Sequence, residues 1–362
     1  MTYEPRHARV IPAQAGIQHY RRLDAGLRGH DEKNFYLRGN NESRMTNTNQ
    51  GLTMTQLQDL LDPLLDASFK GFPHTSAPLR RSQIAAQRWN VLDGDLPLPL
   101  AVVKQRPMRH NLGWMQRFAT DHGVDMAPHG KTTMSPQLLQ QQLDAGAWGL
   151  TFATVTQVRA GVLAGARRCL IANQVFAAVD LAGIQALQRE VPGLRVAFLV
   201  DSLAQLELIE VWFRAQPAAS VRPFEVLLEI GVVGGRTGCR NPADALALAQ
   251  RLHASPACRL VGIECYEGLG ATGQSAADEA YASALMQRVT DIALACDAQR
   301  WFDNDEVLVT AGGSAIFDLV VDRLRPRLSL PVRGLLRSGC YVTHDHGFYK
   351  RMVSVLNTRL PS

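Results

Sequence analysis

A lysine, Lys131, stands in the segment Ala127-Pro128-His129-Gly130-Lys131-Thr132-Thr133, directly after a short apolar run. Where a buried strand ends, an amine can be stripped of water. That lowers its pKa and makes it a nucleophile able to form a Schiff base. A solvated loop lysine fits the same spacing and is the commoner state of this side chain. The segment Glu229-Ile230-Gly231-Val232-Val233-Gly234-Gly235-Arg236-Thr237-Gly238 combines glycines, which permit close backbone approach, with Arg236, whose planar donors suit a phenolate or carboxylate. An ordinary glycine-rich loop has the same composition. Glu264-Cys265-Tyr266-Glu267-Gly268 offers two carboxylates, which read either as paired acids or as solvated rim residues. Thr310-Ala311-Gly312-Gly313-Ser314 and Arg337-Ser338-Gly339-Cys340-Tyr341 are rich in small residues whose N–H groups and hydroxyls suit an anion. His344-Asp345-His346 has metal-binding residue types, but adjacent ligands on one short loop rarely converge on an ion, and no metal site is expected there.

These clusters matter only if the fold gathers them. Apolar runs predict strands at Val124–Pro128, Gly149–Ala153, Arg168–Asn173, Arg195–Asp201, Phe224–Ile230, Leu260–Tyr266, Glu306–Ala311 and Val332–Ser338. Helical patterns precede and separate them at Asn111–His122, Gln137–Ala145, Thr156–Leu163, Val179–Glu190, Leu203–Ala215, Pro242–His253, Asp278–Cys296 and Ile316–Arg323. Leu203, Leu206, Ile209 and Phe213 fall on one helix face, with Glu207 and Glu210 opposite. Near-continuous apolar strands suit a parallel sheet buried on both faces. Strict alternation of strand and helix predicts an α/β TIM (β/α)8 barrel. A doubly wound open sheet is the rival, weakened in its dinucleotide form because no GxGxxG follows the first strand. In a barrel of this kind every cluster above sits at a strand's C-terminal end, around one mouth. The lysine then faces the anion-binding loops after strands seven and eight.

The composition fits a globular chain of 362 residues, 46% hydrophobic and 20% charged. The net charge of +5 comes from scattered Lys and Arg, which argues against nucleic acid as a partner. No apolar run reaches the roughly 20 residues a membrane helix needs. Cys169, Cys239, Cys258, Cys265, Cys296 and Cys340 form no CxxC pair, so a reducing, cytoplasmic setting is expected. Residues 1–53 are rich in Arg, Asn, Gly and Gln, and read as a disordered or spurious N-terminal extension. Within them Val10–Gln18 resembles the conceptual translation of a short bacterial intergenic repeat, and Met45 or Met54 is the expected true start. Residues 54–97 read as a helical lead-in, and Leu98–Val103 as a short strand.

Taken together the motifs resemble the D-serine dehydratase and D-threonine aldolase family, amino acid deaminases included, which shares the alanine-racemase barrel and uses pyridoxal phosphate. The resemblance covers about residues 95 to 350 and rests on Pro128–Thr132, Arg236-Thr237-Gly238, Gly312-Gly313-Ser314 and Gly339-Cys340-Tyr341. It implies that Lys131 is the catalytic Schiff-base lysine and that Arg236 meets the cofactor's phenolic oxygen. It places His129, Tyr266 and Tyr341 at the cofactor, with Gly313, Ser314, Gly339 and Cys340 as holders of phosphate. It implies a lyase that turns D-hydroxyamino acids such as D-serine or D-threonine into a 2-oxo acid and ammonia. Retro-aldol cleavage by a D-threonine aldolase, and a non-catalytic cofactor-binding barrel or inactive truncated member, are the alternatives. Family members continue into a β-rich domain that carries a zinc or other divalent metal. Here 98–347 reads as the barrel and 348–362 as the truncated start of that domain, so the metal is expected to be lost with it. A small amino acid substrate and a homodimer are the implied partners, with no nucleic acid and no membrane.

Overall fold

Eight short strands, most of them runs of Val, Leu, Ile and Ala, pair side by side, all parallel, in a single sheet. In the computed structural model they are β1 (Asp125–Met126), β2 (Leu150–Phe152), β3 (Arg168–Gln174) and β4 (Arg195–Val200). Then follow β5 (Phe224–Ile230), β6 (Cys258–Cys265), β7 (Val307–Ala311) and β8 (Val332–Leu336). Spatial order runs β1-β8-β7-β6-β5-β4-β3-β2. A parallel bridge from His129 to Thr151 joins the two ends and nearly closes the barrel. The structure describes residues 59–217 and 220–360; the expected extension 1–53 lies outside them.

The helices are α1 (Gln105–Asp121), α2 (Pro136–Asp144), α3 (Val155–Leu163), α4 (Ala178–Glu190) and α5 (Leu203–Arg214). They continue with α6 (Pro242–His253), α7 (Ser275–Ala298), α8 (Phe317–Val320) and α9 (Phe348–Arg359). Local chemistry fixes several starts. Ser202 Oγ accepts from Gln205 N–H at 3.4 Å, and Asn241 Oδ1 accepts from Asp244 N–H at 2.8 Å with Pro242 at the first helical position. On α5, Leu206 and Ile209 are buried while Leu208 and Val211 stay exposed.

Period two along the strands explains how one barrel holds both a core and a site. Ala127, Leu170, Ala197, Leu227, Val261, Leu308 and Leu335 belong to one buried apolar cluster. Each such leucine contributes about 2 kcal/mol by leaving water. Two residues further along the same inward faces, Leu227 gives way to Glu229, Leu308 to Thr310 and Leu335 to Arg337, all buried. Glu229 pairs in register with Glu264, and Glu264 with Thr310. An apolar plug therefore ends in a polar floor at the strands' C-terminal ends.

The chain divides into two compact units at Lys104/Gln105. In the first, Leu64–Leu65 pairs antiparallel with Leu79–Arg80, followed by a 3-10 helix over Arg81–Gln87. Leu65, Phe72 and Ile84 form its small core, with Trp89 edge-on to Phe72 at 5.5 Å. The expected strand at Leu98–Val103 is absent there except for a single bridge residue, Val102. Pro97 and Pro99 lack the N–H donors a ladder needs. The stretch expected to begin a β-rich domain forms helix α9 instead, with Met352 and Leu356 buried one turn apart.

Candidate active site

Lys131 is carried by one 3-10 turn, Gly130–Thr132, just past β1. Two bonds pin this turn at the barrel seam: His129 N–H donates to Arg337 O at 3.0 Å, and Thr151 N–H donates to Pro128 O at 2.9 Å. The loop after β8 lies directly on it. A Cβ on Gly339 would stand 2.3 Å from His129 O, so only glycine permits this approach. Cys340 follows, its thiol hydrogen-bonded with the Ser314 and Thr132 side chains. The loops after β1, β7 and β8 thus converge beside Lys131.

Above the polar floor lies a cavity of about 620 Å³, partly open to solvent. Lys131, His129, Arg236 and Tyr266 line it, as do Ser314, Gly339 and Cys340. Two expected site residues do not. Gly313 N–H donates to Glu267 Oε1 at 2.7 Å, so a buried carboxylate already takes the donor expected to hold phosphate. The Tyr341 hydroxyl accepts from Gln142 Nε2 at 3.2 Å, turned toward α2. The two carboxylates at the end of β6, Glu264 within it and Glu267 just past it, are neither a pair nor solvated. Glu264 lines the cavity, whereas Glu267 binds the N–H groups of Gly312 and Gly313; both are buried.

The electrostatics follow from burial beside positive charge. Burial lowers the Lys131 pKa, and the Arg236 and Arg337 guanidiniums lower it further, with Cys340 acting the other way. His129 is pushed down to about 2 by burial and by the positive charge of Lys131 and Arg337, which keeps its ring neutral. On the floor, Arg337 Nη2 donates to Glu264 Oε1 and, at 3.1 Å, to Cys265 O. Burial pushes the Glu264 carboxyl up while Arg337 pulls against it. Glu229 accepts from the Gln174 amide and the Thr237 hydroxyl. Burial raises the pKa of Tyr266, whose hydroxyl is hydrogen-bonded to that of Tyr349 on α9.

Arg337, Glu229 and Tyr349 were assigned no role from sequence, and Glu264 was read only as a paired acid or a solvated rim residue. For Arg337, Glu229 and Glu264 a signal was present: a polar side chain interrupting an apolar strand at the inward period. Glu264 Oε2 and Arg337 Nε are buried and lack a protein partner among the described residues. Such atoms on a cavity floor call for a polar ligand or water. A reactive amine, a free cation, hydroxyl donors and a polar floor together suit a flat, anionic, aldehyde-bearing cofactor such as pyridoxal phosphate. Among the described residues no three His, Cys, Asp or Glu side chains gather to hold a metal ion. The rings of His344 and His346 stand edge-on, 5.8 Å apart.

Comparison with known proteins bears on the family and the fold. The model of the alanine racemase N-terminal domain matches residues 103–345. A D-threonine aldolase from Arthrobacter sp. is 31% identical over 170 residues, 47% of this chain and 43% of that one. A D-threo-3-hydroxyaspartate dehydratase from Delftia sp. (strain HT23) is 32% identical over 178 residues, 48% of this chain and 44% of that one. The solved Delftia structure superimposes with a TM-score of 0.54 at 26% identity, covering 69% of this chain and 61% of that one. The D-threonine aldolase of Filomicrobium marinum does so with a TM-score of 0.60 at 22% identity, covering 74% and 66%. The aligned region spans less than half the length of the curated relatives.

Proposed function

Because the chain belongs to the family of the alanine racemase N-terminal domain, we propose that it is a pyridoxal-phosphate lyase acting on D-hydroxyamino acids. Its favoured reaction is deamination to a 2-oxo acid and ammonia. The observation that carries this is Lys131, an amine with a lowered pKa inside a cavity that also presents Arg236, Ser314 and Cys340.

In this reading Lys131 holds the cofactor covalently, Arg236 meets its phenolic oxygen, and Ser314, Gly339 and Cys340 receive its phosphate. When bound, the group supplies an electron sink for charge developing at the substrate's α-carbon. Lys131 Nζ, uncharged at a lower pH than an exposed lysine, takes the α-proton. Arg236 favours that neutral form by its own fixed charge. Tyr266 and Tyr349, hydrogen-bonded to each other and kept protonated by burial, wall the cavity against bulk water. His129, neutral, accepts from Lys131 N–H at 3.5 Å and stiffens the turn.

Retro-aldol cleavage is the second reading, favoured by the Arthrobacter relative. Its products differ, so one assay separates the two. The chain is loaded with pyridoxal phosphate and given D-serine, D-threonine or D-threo-3-hydroxyaspartate, with and without added zinc. Release of 2-oxo acid and ammonia is expected. Glycine and an aldehyde from D-threonine would favour the aldolase, and no product under any condition would leave a cofactor-binding barrel. The free cysteines support a reducing, cytoplasmic setting. A homodimer meeting at the barrel mouth is part of the same proposal.

A further inference from the structure

Arg236 donates no hydrogen bond and forms no ion pair among the described residues, so the loop backbone is what fixes the point from which its side chain departs. That backbone is gripped from one side by Arg240. Arg240 Nη2 donates to Gly235 O at 3.1 Å, and Nη1 donates to Thr237 O at 2.5 Å and to Val232 O at 3.1 Å. Gly235 and Thr237 are the two neighbours of Arg236 in the chain. One planar guanidinium therefore holds the carbonyls on both sides of it.

The glycines of this loop make room for that guanidinium. A Cβ on Gly231 would stand 2.5 Å from Arg240 Nη1 and 2.1 Å from Thr237 O. Gly238, at φ +91°, packs so tightly that its Cβ would lie 2.4 Å from Gly231 N. The loop is folded around Arg240. Its ends are fastened separately: Arg288 Nη1 donates to Gly231 O at 2.5 Å, and Gly238 N–H donates to Asp201 Oδ2 at 3.0 Å.

We infer that Arg240 is a positioning residue for Arg236, its guanidinium setting the point at which the Arg236 side chain enters the cavity. A lysine could not span three carbonyls, because an ammonium is a point donor and a guanidinium is a fork. This inference rests on Arg236 being a cofactor residue, but its test does not need the cofactor. After burial, Arg236 has the largest charge effect on Lys131, ahead of Arg337, and Arg240 is not among the groups acting on Lys131 directly. Displacing Arg236 must therefore return the Lys131 amine toward ordinary lysine behaviour.

The experiment labels the full-length, cofactor-free chain with acetic anhydride across a pH series and follows modification of Lys131 by peptide mass. R240K, R240Q, R236Q and the double variant R240K/R236Q are compared, with thermal melting as the check on folding. R240K keeps the charge and loses the fork. It is expected to move the labelling midpoint upward, in the direction of R236Q, and to slow labelling near neutral pH by about threefold or more. R240Q should act alike, and the double variant should go no further than R236Q alone. Wild-type labelling in a folded R240K, or a shift that adds to that of R236Q, would overturn the inference. In the same preparations, cofactor absorbance is recorded after loading. Failure to load wild-type chain counts against the cofactor reading, and the labelling result stands apart from it.

Discussion

The fold holds His129 neutral, and this has a measurable consequence in acid. Its folded pKa is held at about 2, against 6.5 when exposed. Between those values the unfolded chain binds a proton that the native chain does not, so stability falls as pH drops through this window. The loss is at most about 1.4 kcal/mol per pH unit. His129→Asn should remove that part of the acid sensitivity, measured as urea midpoints at about pH 7 and about pH 4. Unchanged acid sensitivity would show that His129 titrates freely. For Lys131 the sign is the same. Its lowered pKa means that the charged form is disfavoured in the native state, and the neutral amine becomes available at lower pH than in an exposed lysine. Arg236→Gln should shift the pH profile of cofactor loading upward. A profile that stays put would separate Arg236 from Lys131.

At the scale of elements, what the sequence made legible was local. Helix α6 keeps its predicted bounds, Pro242–His253, because Asn241 and Pro242 define its start without outside help. The eight strands were readable as apolar runs because parallel strands are buried on both faces. What escaped depended on contacts far apart in sequence. The glycines at 231–238 suggested ligand approach, whereas Gly231 makes room for Arg240 and Gly238 packs against Gly231. Gly313 looked like a phosphate donor, but Glu267, 46 residues earlier, takes its N–H. Helix α9 was read as the edge of another domain. It is fastened by Arg359, whose Nε and Nη2 donate to the Asp318 carboxylate at 2.7 and 3.0 Å. Asp318 is only 4% exposed, so Arg359→Ala strands a buried charge and should cost about 3 kcal/mol. Denaturant midpoints measure this, and a loss below about 1 kcal/mol would mean that the pair behaves as a surface contact.

The whole molecule exposes apolar side chains at the rim formed by its strand ends. Phe176, Val179, Leu203, Val233 and Leu269 are exposed within a few residues of a strand's C-terminal end, and Phe348 is exposed at the start of α9. Scattered exposed apolar residues are normal, but several on the same end of a barrel suit an interaction face. If two copies meet there, sedimentation should give twice the mass of 39.8 kDa, and Phe348→Glu should halve it. A wild-type monomer would contradict the proposed dimer. Beneath that rim everything depends on one amine. The full-length chain is incubated with pyridoxal phosphate, reduced with borohydride and digested, and the peptides are mapped by mass. One pyridoxyl group, on Lys131, is expected. Label on other lysines with Lys131 unmodified, or no label at all, would contradict the assignment of Lys131 as the cofactor lysine.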